Sequence, residues 1–420
     1  MTFLLSVSPR VFRPHLRAVV SAAPLVPFRA VAGGLPIVLG LFIAHRWGRQ
    51  ELAAFMLAHA TVTIVVAVVD WGATRALPRN LATLAADAAT GLLAAGNALR
   101  LGLVGAAAVL VAALTAAGAI DADAARYLAI LFPLCPLFLV TTNAVSERVV
   151  AAETAGITTA VAAGLLTFAA LGAIVLGLGA GVLWLVAAYV AGKAIEALLL
   201  VSGRWWVLSI GTDGVADTAA ALWPFAAQTI LGVIYSRLSI FTVERVTTRA
   251  ELGVFSVALA CQNALLLVPT SLALMQFPEL TRRWQEGNAG AVRRILVRYT
   301  LVAGPSVLLG AIALSSVSGR IARALDVPPA MMPFVAAFAA LAFLSSLSIL
   351  GGFLLQARGQ ERLVSRLSVV TLSLALVYQV AALRLWGLWG IVAAVAAAEA
   401  TTIVVFAVAL AYAGRDRDGG

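Results

Sequence analysis

Arg49-Gln50-Glu51-Leu52-Ala53-Ala54-Phe55-Met56-Leu57-Ala58-His59-Ala60 and Arg249-Ala250-Glu251-Leu252-Gly253-Val254-Phe255-Ser256-Val257-Ala258-Leu259-Ala260 stand two hundred positions apart and agree at six of twelve residues. The same shift lays Pro24 on Pro224 and Pro78 on Pro278. Each stretch opens a long apolar run, so the chain reads as two copies of one unit. A window of about 20 residues, the helix length that crosses a bilayer core, finds about twelve runs, six per copy. They fall near 20–44, 51–74, 97–118, 125–146, 155–178, 181–202, 218–243, 252–276, 296–317, 329–355, 364–383 and 388–412. Six is even, so both copies enter the membrane in the same sense. The expectation is an all-α polytopic protein of two parallel six-helix bundles, residues 1–205 and 206–420, around a central cavity.

Composition agrees. Hydrophobic residues make up 62% of the 420 and charged residues 11%, against about 45–50% apolar and about a quarter charged in soluble domains. A soluble enzyme, a secreted disulfide scaffold and a disordered chain are excluded. The net charge of +10 comes from arginine, since Lys193 is the one lysine. These arginines lie mostly between apolar runs, where they meet anionic lipid headgroups and not nucleic acid. Counted by segment, eighteen fall on the side of the amino terminus and eight on the other, so both termini are expected to be cytoplasmic. Residues 1–20 lack a secretory apolar core, and no cleaved signal is expected. Cys135 and Cys261 sit within apolar runs and read as buried thiols.

Further stretches carry a resemblance. Gly48-Arg49-Gln50-Glu51-Leu52 with Phe55, and Glu251-Leu252-Gly253-Val254-Phe255, resemble the segment that opens the second and eighth helices of polysaccharide flippases. Asp70-Trp71-Gly72 followed by Arg79-Asn80-Leu81-Ala82 resembles the end of that second helix. Pro278-Glu279-Leu280 with Arg282-Arg283 resembles the connection to the ninth, and Trp386-Gly387-Leu388-Trp389-Gly390 the turn before the last. On these residues the chain is similar to the oligosaccharide and polysaccharide flippases of the multidrug/oligosaccharidyl-lipid/polysaccharide (MOP) exporter superfamily. The resemblance implies a bacterial plasma-membrane protein that is not an enzyme and carries no cofactor. It implies translocation of a polyprenyl-diphosphate-linked oligosaccharide from inner to outer leaflet by alternating access. Family members often place an Asp beside the arginine of helix seven, and Tyr235-Ser236-Arg237-Leu238 has none. Lipid II flippases usually have two more helices, which points here to an O-antigen, exopolysaccharide or capsule-type substrate.

Ionisable residues inside apolar runs cost about 2.5–3.5 kcal/mol each on insertion scales and therefore ask for a role. Arg29 and Arg237 occupy repeat-related helices, eight positions or about 12 Å apart in depth, and suit a diphosphate passed along a polar path; snorkelling at a helix end is the competing explanation. Glu399 sits mid-helix with no evident local partner and is a candidate proton or sodium coupling site, the alternative being a carboxyl bonded between helices. Lys193 and Glu196, three apart, can pair on one face. Asp70, with Arg75 and Arg79 nearby, reads as a gate or helix-end ion pair. Glu51 and Glu251 open helices and read as structural. Asn143, Gln228, Gln262 and Asn263 are cavity-lining candidates or interhelical bonds. His15, His45 and His59 lack metal spacing, and Gly192-Lys193 lacks the rest of a phosphate-binding loop. Two rivals remain: a cation-coupled multidrug exporter of the same superfamily, and a membrane glycan polymerase or ligase, which the short outer segments disfavour.

Overall fold

The computed structural model describes residues 25–418 apart from 82, 83, 85, 152, 317, 325 and 326. Arg10, Arg13, Arg17 and Pro24 lie outside the described residues, as do the side chains of Arg29, Arg75, Arg79, Arg415 and Arg417. The first half contains α1 (Leu25–Trp47), α2 (Arg49–Asp70), the short α3 (Ala73–Leu81), α4 (Ala86–Ala116), α5 (Ala122–Leu131), α6 (Leu134–Val150), α7 (Thr154–Gly177) and α8 (Val182–Val201). The second contains α9 (Val215–Val246), α10 (Arg249–Gln285), α11 (Ala289–Ser316), the short α12 (Ser318–Ala324), α13 (Met332–Ala340), α14 (Ala342–Ala357), α15 (Glu361–Trp386) and α16 (Leu388–Asp418). Among the described residues there is no strand. Eleven helical stretches are long and apolar enough to cross a membrane, and Gly34–Trp47 adds a shorter one. In two of the eleven the helix is interrupted, α5 from α6 at Phe132–Pro133 and α13 from α14 at Leu341. These are the fourth span of each half, so the interruption repeats as the sequence does.

The repeated stretch is the seam between the halves. Leu52, Phe55, Ala58 and Ala60 are buried, and so are Leu252, Phe255, Ala258 and Ala260. α2 and α10 cross here, and a Cβ on Gly253 would stand 2.8 Å from the Arg49 carbonyl oxygen. Only glycine permits that approach of two backbones. Each repeat phenylalanine meets a ring from its own fourth span at an edge: Phe55 on Tyr127 at 6.0 Å and Phe255 on Phe338 at 5.2 Å between centroids. Such edge-to-face pairs add about 0.5–1.5 kcal/mol beyond burial. We call the end of the molecule bearing Gly48 and Thr248 the outer end, following the arginine distribution.

At the inner end the repeat diverges. α2 stops at Asp70 because Trp71 (φ 48) and Gly72 (φ 77) turn left-handed, whereas α10 continues for 37 residues. The stretch from 278 to 295, which lies between apolar runs, is therefore helical except for the turn at 286–288. Pairs of Arg282 and Arg283 with Glu279 and Glu286 at helical spacing support it outside the apolar run. In the first half Gly72 lies against α9, and a Cβ there would strike the backbone of Phe225 and Ala226. The Trp71 indole donates to the Ala219 carbonyl at 3.2 Å and its ring lies 5.5 Å from that of Trp223.

Gly72→Ala is expected to lower stability by about 1–3 kcal/mol through combined left-handed strain and collision. Gly102→Ala, where an added Cβ meets nothing within 4 Å, is expected to be neutral or stabilising by up to about 1 kcal/mol. Thermal unfolding of the purified protein in detergent compares the two.

Candidate functional site

Polar side chains inside the bundle fall into two groups. The first fixes the N-terminal half. Arg100 on α4 and Asp70 at the end of α2 are 1% and 2% exposed, with Nη2 and Oδ1 3.7 Å apart. Arg100 also donates through Nε to the Val69 carbonyl at 3.2 Å and through Nη1 to Asn143 Oδ1 at 2.7 Å. Asp70 accepts from the Thr74 amide and hydroxyl. The side chains of Arg75 and Arg79, the expected neighbours of Asp70, lie outside the described residues; Arg100 on α4 is a further cation beside it. Asn143 does not line the cavity described below. Buried on α6, it donates to Asn97 Oδ1 at 2.6 Å and to the Val207 carbonyl at 3.2 Å. Asn97 donates to the Val207 and Ser209 carbonyls at 2.9 and 2.8 Å, so both amides hold the segment joining the halves. Lys193 and Glu196 pair at 2.8 Å on α8. Glu251 completes a capping box with Thr248, and Glu51 accepts from the Tyr127 hydroxyl.

The second group surrounds a cavity of about 380 Å³ inside the C-terminal half, between α9, α10, α14, α15 and α16. The repeat predicts a passage between the halves; this cavity lies within one of them. It is open at Gly232 and Ser236, both exposed. Gln228, Gln262, Asn263, Gln356 and Gln379 supply amides to its wall, and Ser345, Ser348, Ser368, Thr371 and Thr402 supply hydroxyls. Glu399 supplies the one carboxyl among its lining residues. Ser345 donates to Glu399 Oε1 at 2.8 Å, Ser348 donates to Oε2, and the Tyr235 hydroxyl also bonds to this carboxyl. The lone glutamate of the sequence thus has partners, but they are hydroxyls, and no Lys or Arg among the described residues lies within ion-pair distance of it. Asp70 and Glu196, by contrast, each face a cation. Gln379 is 3% exposed and its Oε1 has no hydrogen-bond partner. A buried amide oxygen left unpaired costs about 1–3 kcal/mol, which a donor group in the cavity would recover.

Arg237 does not line this cavity. It lies nine residues after Gln228, hence about 180° around α9, on the side where α9 meets α2 and His59. Its Nε is buried without a hydrogen-bond partner. The side chain of Arg29, its repeat-related counterpart, lies outside the described residues.

Tyr235, Ser345, Ser348, Gln379 and Arg100 were not singled out from the sequence. Ser345 and Ser348 are three apart on an apolar helix, a spacing that sets two hydroxyls on one face. Arg100 stands three residues after Asn97 within an apolar run. Both patterns are visible, but neither indicates which partner helix it meets.

No family model and no curated protein matches the sequence. Solved structures do. The fold is that of MATE transporters of the MOP superfamily. The inward-facing conformation of a multidrug resistance MATE family transporter of that superfamily superposes with a TM-score of 0.70 at 13% identity, covering 92% of this chain and 96% of the other. The outward-facing conformation of such a transporter gives 0.67 at 13% identity, with 95% and 96% covered. The eukaryotic MATE transporter AtDTX14 gives 0.68 at 14% identity, with 94% and 96% covered.

Breaking the Asp70–Arg100 pair is expected to be costly. Arg100→Leu, which strands a buried carboxylate, should lose about 3–5 kcal/mol, whereas Glu399→Gln, which keeps a polar group among hydroxyls, should unfold near the wild-type temperature. Melting curves in detergent decide this.

Proposed function

We propose that the protein is a flippase of the bacterial plasma membrane that carries the head of a polyprenyl-diphosphate-linked oligosaccharide from inner to outer leaflet by alternating access, both termini being cytoplasmic. The residue motifs of both halves point to this substrate class, and the likeness in fold to transporters seen facing either side of the membrane supports the mode of action. The observation that carries the reading is the cavity wall: amides and hydroxyls in number, with the Gln379 oxygen unpaired. Such a wall suits a neutral, hydroxyl-rich ligand, because sugar hydroxyls both donate and accept. The polyprenyl tail stays in the bilayer. Arg237 and Arg29 receive the diphosphate, since a guanidinium fork matches phosphate oxygens and stays charged. With the cell interior negative, outward movement of a dianion is favoured by about 4.6 kcal/mol per 100 mV. Glu399 couples transport to a proton or sodium ion, and Lys193, Glu196 and Asp70 act as structural or gating charges.

A second reading, a cation-coupled exporter of organic cations, is favoured by one feature. The carboxyl in the cavity has no cationic partner, and no arginine lines the wall. The two readings part in one experiment. Purified protein in vesicles is supplied with a fluorescent polyprenyl-diphosphate oligosaccharide, and protection from an external quencher reports flipping. Flipping is expected, with Arg237→Ala abolishing it and Gln379→Leu slowing it about tenfold, while both variants remain folded in the bilayer. Absence of flipping together with uptake of a cationic dye would transfer the assignment to the exporter; normal flipping by Arg237→Ala would remove that residue from the path.

A further inference from the structure

We propose that the outer end of the seam is a gate in two layers, an ionic latch above an apolar plug. The latch joins the halves through one residue. Arg249, the first residue of α10, donates through Nη1 to Asp123 Oδ2 at 2.8 Å and pairs through Nη2 with Asp121. Asp121 is held in place by its own helix, since its Oδ2 caps α5 by accepting from the Asp123 amide at 3.1 Å. Its other oxygen is left for Arg249. A second cross-half bond lies on the same rim, from His45 Nδ1 to the Ala324 carbonyl at 2.6 Å.

Directly below is a cavity of about 140 Å³ between the halves, walled by Gln50 and Leu57 on one side and by Glu244, Thr247 and Leu252 on the other. Beside it α2 and α10 cross at Arg49 and Gly253, and the buried Phe55, Ala58, Phe255 and Ala258 close the deeper seam with apolar side chains. The outer end therefore has a small chamber of mixed polar and apolar lining beneath a charged lid. The lid residues are exposed, at 57%, 37% and 41% for Arg249, Asp121 and Asp123. Exposed ion pairs are weak and are screened by salt. Each end also has a glycine clasp, Gly253 against the Arg49 carbonyl at the outer end and Gly72 against the α9 backbone at the inner, where Trp71 on Trp223 adds a ring contact. At the outer end the exposed ion pairs are the layer that gives way first, because the crossing beneath them is packed. The inference rests on the alternating-access part of the reading above, not on the substrate.

The test uses the full chain in lipid nanodiscs with pairs of spin labels. One pair, at Ala119→Cys and Ala250→Cys, spans the outer rim; a second, at Ala151→Cys and Arg293→Cys, spans the inner end. All four positions are exposed, and the native Cys135 and Cys261 are buried. Arg249→Gln, which leaves the Asp121 cap intact, is expected to raise the long-distance population at the rim about three- to tenfold. Molar salt on the unchanged latch should act in the same direction, so the test does not depend on the variant folding. A rim insensitive to Arg249→Gln and to salt, with two distances still sampled at the inner end, overturns the latch and leaves alternating access standing. A single distance at both ends in every sample overturns both.

Discussion

The structure depends on the close passage of two backbones. α2 and α10 meet at Arg49 and Gly253 with no room for a β-carbon, and the buried side chains along those two helices include the same four repeated positions in each half. A seam between two like bundles takes equivalent residues from both, as the interface of a symmetric dimer does. This explains why the repeat is sharpest there. Residues facing lipid are replaceable by any apolar neighbour, whereas Leu52, Phe55, Leu252 and Phe255 are buried in the packed core. The edge-on pairing of Phe55 with Tyr127 and of Phe255 with Phe338 extends the same symmetry one layer outward.

Around this common seam the halves have specialised. In the first, charge is spent internally: Asp70 against Arg100, Glu196 against Lys193, and Arg204 against Glu147 and Glu153. In the second, the interior holds a carboxyl surrounded by hydroxyls and a set of amides around open volume. Buried charges set against each other make a rigid wall, because removing either one strands the other. Amides and hydroxyls around a cavity can exchange a neighbour for a ligand at little cost, since each both donates and accepts.

Fold and site were not equally legible in the sequence. Twelve apolar runs, their parity and the repeat at 49–60 and 249–260 give the architecture, because bilayer thickness fixes span length and leaves few alternatives. That the connection beyond Pro278 is helical was not legible from apolarity, because i, i+3 and i, i+4 ion pairs sustain it. Asp70 and Glu399 stood out as charges in apolar helices, but their partners could not be foreseen. Arg100 lies thirty residues on and on another helix, and Ser345 and Ser348 come from a helix that only the folded bundle brings near. Gln379 carried no signal at all, for one amide in an apolar run has no period. The location of the cavity inside one half likewise depends on how α9 and α10 diverge, which no local pattern encodes.

The segment joining the halves has a consequence of its own. Its short 3-10 turn at Trp205–Leu208 is fastened by Asn97 and Asn143, and Gly211 donates to the Ala94 carbonyl at 3.1 Å. The tether is thus upholstered onto one bundle nearly to its end and is no slack rope between two. Any relative rotation must be absorbed in the few residues between Gly211 and the start of α9, where Gly214 (φ 72) supplies the joint. A pivot that short permits swinging but very little sliding of one half past the other.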